Sequence, residues 1–293
     1  MQMYMDNWRI HYNTYLYLLA CQLVEWEGLP DSVDSRYLEQ TLHRFGYLAF
    51  YKDDKLGYIV VQGAQSGNLN VYGQPVSYHA TSANYSKTFP LYHYVDMDTT
   101  KKQGVLIRNN DMAMPTIPTI ELFSEDLTQL KAVTRININA QKTPYLVVGN
   151  DFNKLSLLQV YHQVEDNAPA IFVDEKLDLS QITIHSTPAP YVVDKLNTQR
   201  MAVWNEFMTF LGIQNANIEK KERMITDEVN ANDSQVVNSS NIYLKARQEA
   251  CELINKLYGL NVSVKLRSDK IMELIEREVE RDGELYNGIE GSA

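Results

Sequence analysis

Residues 189–232 read APYVVDKLNTQRMAVWNEFMTFLGIQNANIEKKERMITDEVNAN. Beyond Pro190, apolar residues recur at the spacing of one helix face: Val193, Leu196, Val203, Phe207 and Phe210. This period predicts a helix from Tyr191 to Leu211, about 32 Å long, which Gly212 ends. The next residues, 213–232, are polar, contain basic side chains and have no apolar period, so they are predicted to form a loop.

A second long helix is predicted upstream, from near Pro118 to Asn139, again about 32 Å long. Its apolar face consists of Ile120, Phe123, Leu127, Leu130 and Val133. Between the two helices lies a small α/β insert, residues 143–190, in which PYLVV, AIFVD and QITIH are predicted strands and LSLLQVYHQV a helix. Two helices of matched length that flank a short insert are expected to run antiparallel.

The flanking segments mix helix and strand patterns. Helices are predicted over Asp6–Glu27, Ser35–Phe45 and Asn241–Tyr258, each ended by a glycine. Short Tyr- and Val-rich runs from Tyr47 to Tyr94 (GYLAFY, LGYIVVQG, NVYG, PVSYHAT and FPLYHYV) predict a small antiparallel sheet or barrel. The last runs, NVSVKLR and IMELIEREVERD, predict a strand and an acidic helix. The predicted fold class is therefore α+β.

Composition limits the possible functions. The chain has 293 residues, 44% of them hydrophobic, and a formal net charge of −10, which argues against a protein that holds DNA tightly. Its 19 Tyr suggest extensive interfaces or, equally, the core and surface of a β-rich region. Cys21 and Cys251 lie in apolar helical runs and are predicted to be small core residues in a reducing compartment. No signal peptide or membrane-spanning segment is predicted, so no membrane partner is expected.

Catalytic motifs are missing from the sequence. It contains no phosphate-binding loop, no G-x-G-x-x-G and no cluster of His and Cys with metal-ligand spacing. Glu39 and His43 share a helix face, but such a pair is usually a solvated surface pair. The sequence thus predicts no enzyme, no cofactor and no metal.

The chain resembles the head–tail connector (portal, or upper collar) proteins of small protein-primed podoviruses. Besides residues 189–232, the similarity lies in LACQLVEWEGLP (19–30), NNDMAMPTIPTIELF (109–123), NAQKTP (139–144) and LSLLQVYHQVEDNAPAIF (155–172). The resemblance implies a portal fold with two long antiparallel stem helices (114–142 and 191–212), a small α/β clip insert (143–190) and a tunnel loop (213–232). A mixed α/β wing with a small antiparallel sheet would comprise residues 1–113 and 233–293.

The same resemblance implies which residues meet DNA. Lining of the channel is assigned to one polar face of the second stem helix and to the stem–clip junction: Lys195, Thr198, Gln199, Ala202, Asn205, Ser186 and His185. Without the resemblance, the polar face is an ordinary solvent-facing side of a helix. Family members carry two lysine rings; Lys195 falls on one, whereas Ser186 stands at the other, so that second ring is in doubt here. The tunnel loop would act through Lys220, Lys221 and Arg223.

Partners and location also follow from the resemblance. The expected assembly is a ring of twelve copies at one capsid vertex of the virion, built in the host cytoplasm. Double-stranded DNA would pass through the ring during packaging, genome retention and ejection. Further expected partners are the packaging ATPase, the major capsid and scaffolding proteins and the lower collar or tail protein. A packaging RNA is not supported, because the basic N-terminal arm of relatives is missing from MQMYMDNWR. The alternatives are a collar or tail adaptor without a packaging role and a packaging-associated enzyme.

Overall fold

The computed structural model describes residues 2–94, 103–142, 145–148, 183–186, 190–213 and 226–268. Within them the chain forms five helices and ten strands. The helices are α1 (Gln2–Cys21), α2 (Ser35–Phe45), α3 (Ile117–Lys142), α4 (Val193–Leu211) and α5 (Thr226–Tyr258). The strands are β1 (Val24–Glu27), β2 (Tyr47–Asp53), β3 (Gly57–Val61), β4 (Gly63–Leu69), β5 (Pro75–Ser82), β6 (Tyr85–Pro90), β7 (Gly104–Arg108), β8 (Tyr145–Val148), β9 (Thr183–Ser186) and β10 (Ser263–Leu266). The mixed α and β content predicted from the sequence is confirmed.

The strands form four small antiparallel sheets in the described residues. Two have three strands each, in the orders β3-β2-β7 and β4-β5-β6, and two are pairs, β1-β10 and β8-β9. The three-stranded sheets share a core in which the Tyr51 and Phe89 rings stack with centroids 4.2 Å apart. The predicted small antiparallel sheet is therefore a pair of sheets packed on a common aromatic core.

The chain divides into two compact units. The first comprises Met1–Trp8 and Asp126–Ala202, and the second comprises Arg9–Glu125 and Val203–Ala293. The second unit holds the larger described core, which combines α2, the β3-β2-β7 sheet, the β1-β10 pair and the apolar face of α5. All three unit boundaries therefore fall inside helices, in α1, α3 and α4.

Several predicted elements are confirmed by the structure. Helix α2 has the predicted bounds, because Asp34 caps its N-terminus by accepting from the backbone N–H groups of Arg36 and Tyr37. Gly46 ends it in the left-handed conformation, with φ of 87°. The two long predicted helices are present as α3 and α4, and NVSVKLR forms β10.

Other predicted boundaries are wrong for physical reasons. The first helix ends at Cys21, and VEWE forms β1 because it pairs with β10, a partner too distant in sequence for local periodicity to reveal. NVYG is the turn between β4 and β5, and β7 was missed. The last long helix begins at Thr226 instead of Asn241, since its first turns are rich in Asn, Asp and Ser and lack an apolar period.

The predicted loop 213–232 is corrected by the same helix. Residues 226–232 belong to α5, so a loop can extend at most from 213 to 225. The predicted helix LSLLQVYHQV, the strand AIFVD and the acidic helix IMELIEREVERD lie outside the described residues. Cys251 is buried as predicted, whereas Cys21 is only partly buried.

Candidate functional site

Helix α4 carries a polar, exposed face of small and medium side chains. Lys195, Thr198, Gln199 and Ala202 are all exposed and share this face by helical spacing. The opposite face is buried at Val193, Val203, Phe207 and Leu211. The helix therefore separates a wet side from a packed side, as its sequence period predicts.

One predicted member of the exposed face, Asn205, differs from the rest. Asn205 lies at one edge of the face by helical spacing, is half-buried and has interactions of its own. The next residue, Glu206, is exposed and falls at the centre of the face by spacing, a position that the sequence prediction missed. The Thr198 hydroxyl is exposed and donates to the Asp194 carbonyl at 3.1 Å.

The structure describes the other predicted site residues only in part. His185 and Ser186 lie on β9, paired in register with Leu146 and Tyr145 of β8, and only their backbone is described. Lys220, Lys221 and Arg223 lie outside the described residues. The structure therefore groups only the residues of α4.

Packing fixes α4 at both ends. In the second unit the Phe207 and Phe123 rings meet edge to face, with centroids 5.3 Å apart. In the first unit the Asn137 side chain donates to the Pro190 carbonyl at 2.9 Å and accepts from the Val192 N–H at 3.2 Å. These contacts bind α4 to α3 in each unit.

Gly212 ends α4 where no other residue fits. Its φ is 77°, and a Cβ atom there would lie 2.3 Å from the backbone nitrogen of Ser240. The helix end and α5 can approach this closely only because the side chain is a hydrogen atom. The glycine that the sequence identified as a helix stop is therefore also a contact point between two helices.

The first turns of α1 bind α3 through aromatic rings. The ammonium group of Lys131 lies 5.0 Å from the centroid of the Trp8 ring, and the guanidinium of Arg135 lies 4.2 Å from that of Tyr4. Each such contact contributes about 0.5–1 kcal/mol at an exposed site. The N-terminal residues are thus part of a helix held on α3.

A buried ionic network lies in the second unit, and it corrects the prediction of a solvated Glu39–His43 pair. Both side chains are buried, and the Glu39 carboxylate receives two hydrogen bonds from the fully buried Arg247, at 2.7 and 2.9 Å. The Trp26 indole donates to the same carboxylate at 2.8 Å. One feature of the sequence could have indicated this network. Arg247 lies between Tyr243 and Ala250 on the apolar face of α5, where a charged residue needs a buried partner.

Charge and burial set the protonation of the network. Burial opposes ionisation of Glu39, but the Arg247 charge and the contacts from His43 and Arg247 outweigh it and hold the pKa of the carboxyl well below its ordinary value. Burial lowers the pKa of His43, and the Arg247 charge adds to this effect, so the imidazole is neutral at pH 7. Its Nδ1 lies 3.0 Å from the Thr116 hydroxyl, and its Nε2 lies 3.5 Å from Glu39 Oε2.

The network positions the start of α3. Arg247 donates to the Asn109 carbonyl at 2.9 Å, and the Asn109 side chain donates to the Thr116 hydroxyl at 2.8 Å. The Thr116 N–H in turn donates to the His43 carbonyl at 2.8 Å. Glu39, His43, Asn109, Thr116 and Arg247 are all buried, so the loss of a partner is costly, and their hydrogen bonds hold residues 109–116 in place.

Neither a metal cluster nor a membrane-spanning helix is found in the part of the chain that the structure describes. No group of three or more His, Cys, Asp or Glu that could hold a metal ion occurs among those residues. No helix among them is long and apolar enough to cross a membrane.

Comparison with known families assigns the chain. The family model described as Phage Connector (GP10) matches residues 2–271. The chain therefore belongs to the phage connector family. A curated relative is the portal protein of Staphylococcus phage 44AHJD, which is 24% identical over 149 residues. That match covers 50% of this chain and 59% of the relative, so the chain spans well under two thirds of the relative's length.

Solved structures of the same kind resemble the chain more loosely. The portal and tail of native bacteriophage P68 gives 16% identity, 94% coverage of each chain and a TM-score of 0.47. The HK97 family phage portal protein from Corynebacterium diphtheriae gives 8% identity, coverage of 93% of this chain and 98% of that one, and a TM-score of 0.48. Because both scores are below 0.5, the family assignment rests on the family model.

Proposed function

We propose that this protein is a portal: a ring of twelve copies at one capsid vertex through which double-stranded DNA enters during packaging and leaves at infection. Membership of the phage connector family over residues 2–271 is the observation that carries the proposal. In this assignment α3 and α4 belong to the stem (114–142 and 191–212), and residues 143–190 form the clip. Residues 1–113 and 233–293 form the wing, and the tunnel loop narrows to residues 213–225.

The contacts between α3 and α4 support a stem of two antiparallel helices. Near its N-terminal end α3 meets the C-terminal part of α4 through Phe123 and Phe207. Near its C-terminal end α3 meets the entry to α4 through Asn137 and Val192. The order of contacts is therefore opposite along the two helices.

Charge supports a conduit instead of a DNA-binding surface. Each chain carries −10, so a ring of twelve repels phosphate over most of its surface and lets DNA slide. Lys195, exposed on α4, would supply one positive ring, while the exposed Glu206 on the same face would keep the attraction weak. Thr198, Gln199 and Ala202 would complete a wet lining, with Asn205, His185 and Ser186 nearby.

The proposal includes no catalytic step. ATP hydrolysis would belong to a packaging ATPase, and the further partners would be the major capsid and scaffolding proteins and the lower collar or tail protein. The assembled ring would lie in the virion after assembly in the host cytoplasm. A packaging RNA is not part of the proposal.

Removal of the protein from the virus that encodes it tests this function against a collar or tail adaptor. A portal is required for packaging, so heads made without it should contain no nuclease-protected DNA, and supplied protein should restore full-length genomes. Heads that are filled with DNA but lack tails would contradict the portal and identify an adaptor.

A further inference from the structure

A long stretch of the chain has no charged side chain. From Leu56 to Ser86 the sequence contains no Asp, Glu, Lys or Arg, although 22% of the whole chain is charged. This stretch includes the β4–β5 hairpin, residues 63–82. Copies of a chain at −10 repel one another, so contacts between copies favour surfaces that bring no further charge.

The turn of this hairpin is rigid and apolar. Asn70 Oδ1 accepts from the backbone N–H groups of Tyr72 and Gln74, both at 2.9 Å, and the Gly73 N–H donates to the Asn70 carbonyl at 3.0 Å. The turn holds Val71 82% exposed and Tyr72 75% exposed. Residues 69–73 are called the hairpin tip below.

A second rigid loop displays apolar side chains elsewhere in the same unit. Asn110 Oδ1 accepts from the N–H groups of Met112, at 3.1 Å, and Met114, at 3.0 Å. Met112 is 80% exposed, and it lines a groove of about 420 Å³ with Met114 and with Ile242 of α5. This surface, lined by Asn110, Asp111, Met112, Met114, Asn238, Asn241, Ile242 and Lys245, is called the methionine groove below.

The charges of the methionine groove are already balanced. Its two charged lining residues in the described chain, Asp111 and Lys245, lie 3.4 Å apart as an ion pair, and Lys245 also lies 3.9 Å from Glu249. A partner that docks in the groove therefore needs no charged side chain. If it carried one, that side chain would be left without an opposite charge to pair with. The uncharged hairpin tip matches this requirement.

We propose that the hairpin tip of one copy docks in the methionine groove of a second copy. The inference rests on the proposed ring and names the contact that joins its neighbours. Tyr72 supplies a large amphipathic anchor, and the flexible Met112 and Met114 side chains adapt to it. An asparagine side chain already holds each loop in place before the copies meet. Association therefore costs little conformational entropy of the loops. Two different patches of one molecule that fit each other give a head-to-tail contact, the kind that closes rings.

Side-chain docking fits the hairpin better than strand addition does. Strand β4 is an edge strand, but its register shifts between Ser66 and Leu69, which interrupts the row of free backbone groups. Such a bulge turns an edge away from another strand. The tip is therefore the part of the hairpin that is left for a partner.

Crosslinking of mixed variants, each with one added cysteine, tests the proposal. Full-length Val71→Cys, carrying an affinity tag, keeps the Tyr72 anchor and is mixed with untagged Asn241→Cys, which keeps the apolar side chains of the groove. The mixture is treated with a short bis-maleimide at pH 7. We expect a tagged–untagged heterodimer, at least tenfold more abundant than with tagged Leu56→Cys, whose exposed site lies in the neighbouring β2–β3 turn. Burial raises the pKa of the native Cys21 and Cys251 to about 12, so both thiols stay protonated and react slowly.

Native mass spectrometry of the wild-type protein in the same buffer separates the possible failures. A wild-type ring with no heterodimer above the Leu56→Cys control would overturn the docking contact and leave the ring intact. A ring in which Val71→Cys links only to itself would overturn it in favour of a tip-to-tip contact. Wild-type protein that stays monomeric at micromolar concentration would overturn the proposed ring and the contact together.

Discussion

Arg247 is among the largest fully buried side chains of the described residues. Its guanidinium is fully buried and donates five hydrogen bonds, two to Glu39 and three to Asn109 and Tyr243. Replacement of a whole buried ion pair by apolar residues is often neutral, but removal of one partner leaves a buried charge unbalanced. The network therefore contributes mainly to the uniqueness of the 109–116 conformation, from which α3 begins.

Glu39→Gln should lower the free energy of unfolding by about 3–5 kcal/mol, because the Arg247 charge then has no counter-charge. Urea denaturation at a fixed protein concentration measures the change. The control is Glu121→Gln at an exposed position of α3, which should change the stability by less than about 0.5 kcal/mol. A loss below about 1 kcal/mol for Glu39→Gln would show that the network is not an energetic unit.

Stability should fall as the pH is lowered, in two windows. His43 has a lowered pKa in the fold, so the unfolded chain takes up a proton first and stability is lost as the pH falls below about 6.5. Glu39 also has a lowered pKa, so its contribution is present above about pH 4.3 and is lost as the pH falls further, towards about 2.

Thermal melts of wild type and His43→Gln at pH 7 and pH 5 measure the first window. The fall in melting temperature between these pH values should be smaller in the variant than in the wild type. The other five histidines are the same in both proteins, so the difference between the two falls reports on His43. Equal falls in both proteins would show that His43 does not titrate as its burial requires.

At the scale of elements, the long helices were predictable because each has an apolar face and a glycine or proline at its boundary. Helix α4 was found within two residues of its start. Strand β1 was not predictable, because its partner β10 is distant in sequence. The first half of α5 was not predictable either, because its polar turns have no apolar period. Of the candidate site, the exposed face of α4 follows from spacing, which also places Glu206 on that face. The structure adds that Glu206 is exposed whereas Asn205 is half-buried.

Gly212→Ala should destabilise the protein by about 1–3 kcal/mol more than Gly259→Ala. Both glycines end helices in the left-handed conformation, with φ of 77° and 67°, so the backbone strain is matched. Only at Gly212 would the added Cβ collide with the Ser240 backbone, since nothing lies within 4 Å of a Cβ at Gly259. Urea denaturation of the two variants measures the difference, and equal losses would contradict the close approach of α4 and α5.

The tunnel loop should act on DNA and not on assembly. Replacement of Lys220, Lys221 and Arg223 by Ala should leave the ring and its capsid incorporation unchanged but lower the fraction of capsids that hold nuclease-protected, full-length DNA. Lys195→Ala should have a milder effect, because one screened charge per chain contributes on the order of 1 kcal/mol per contact or less. The charge-retaining Lys220→Arg, Lys221→Arg, Arg223→Lys variant is the control. Genome retention equal to that of the wild type in the Ala variant would reduce the loop to a connector.

At the scale of the whole molecule, the account combines a negative chain with neutral contact surfaces. Like-charged copies repel, so a closed ring needs contacts whose charges are absent or already paired, such as the hairpin tip and the methionine groove. In the proposed portal the same net charge would discourage tight DNA binding, and the exposed polar face of α4 would serve as a lining. Assembly and the passage of DNA would then depend on the distribution of charge.

Electron microscopy of the purified full-length protein, viewed along the symmetry axis without nucleic acid, shows whether the chain forms a channel. We expect closed rings of about twelve copies with an open bore wide enough for double-stranded DNA. Monomers, open filaments or discs with a closed centre would contradict this expectation.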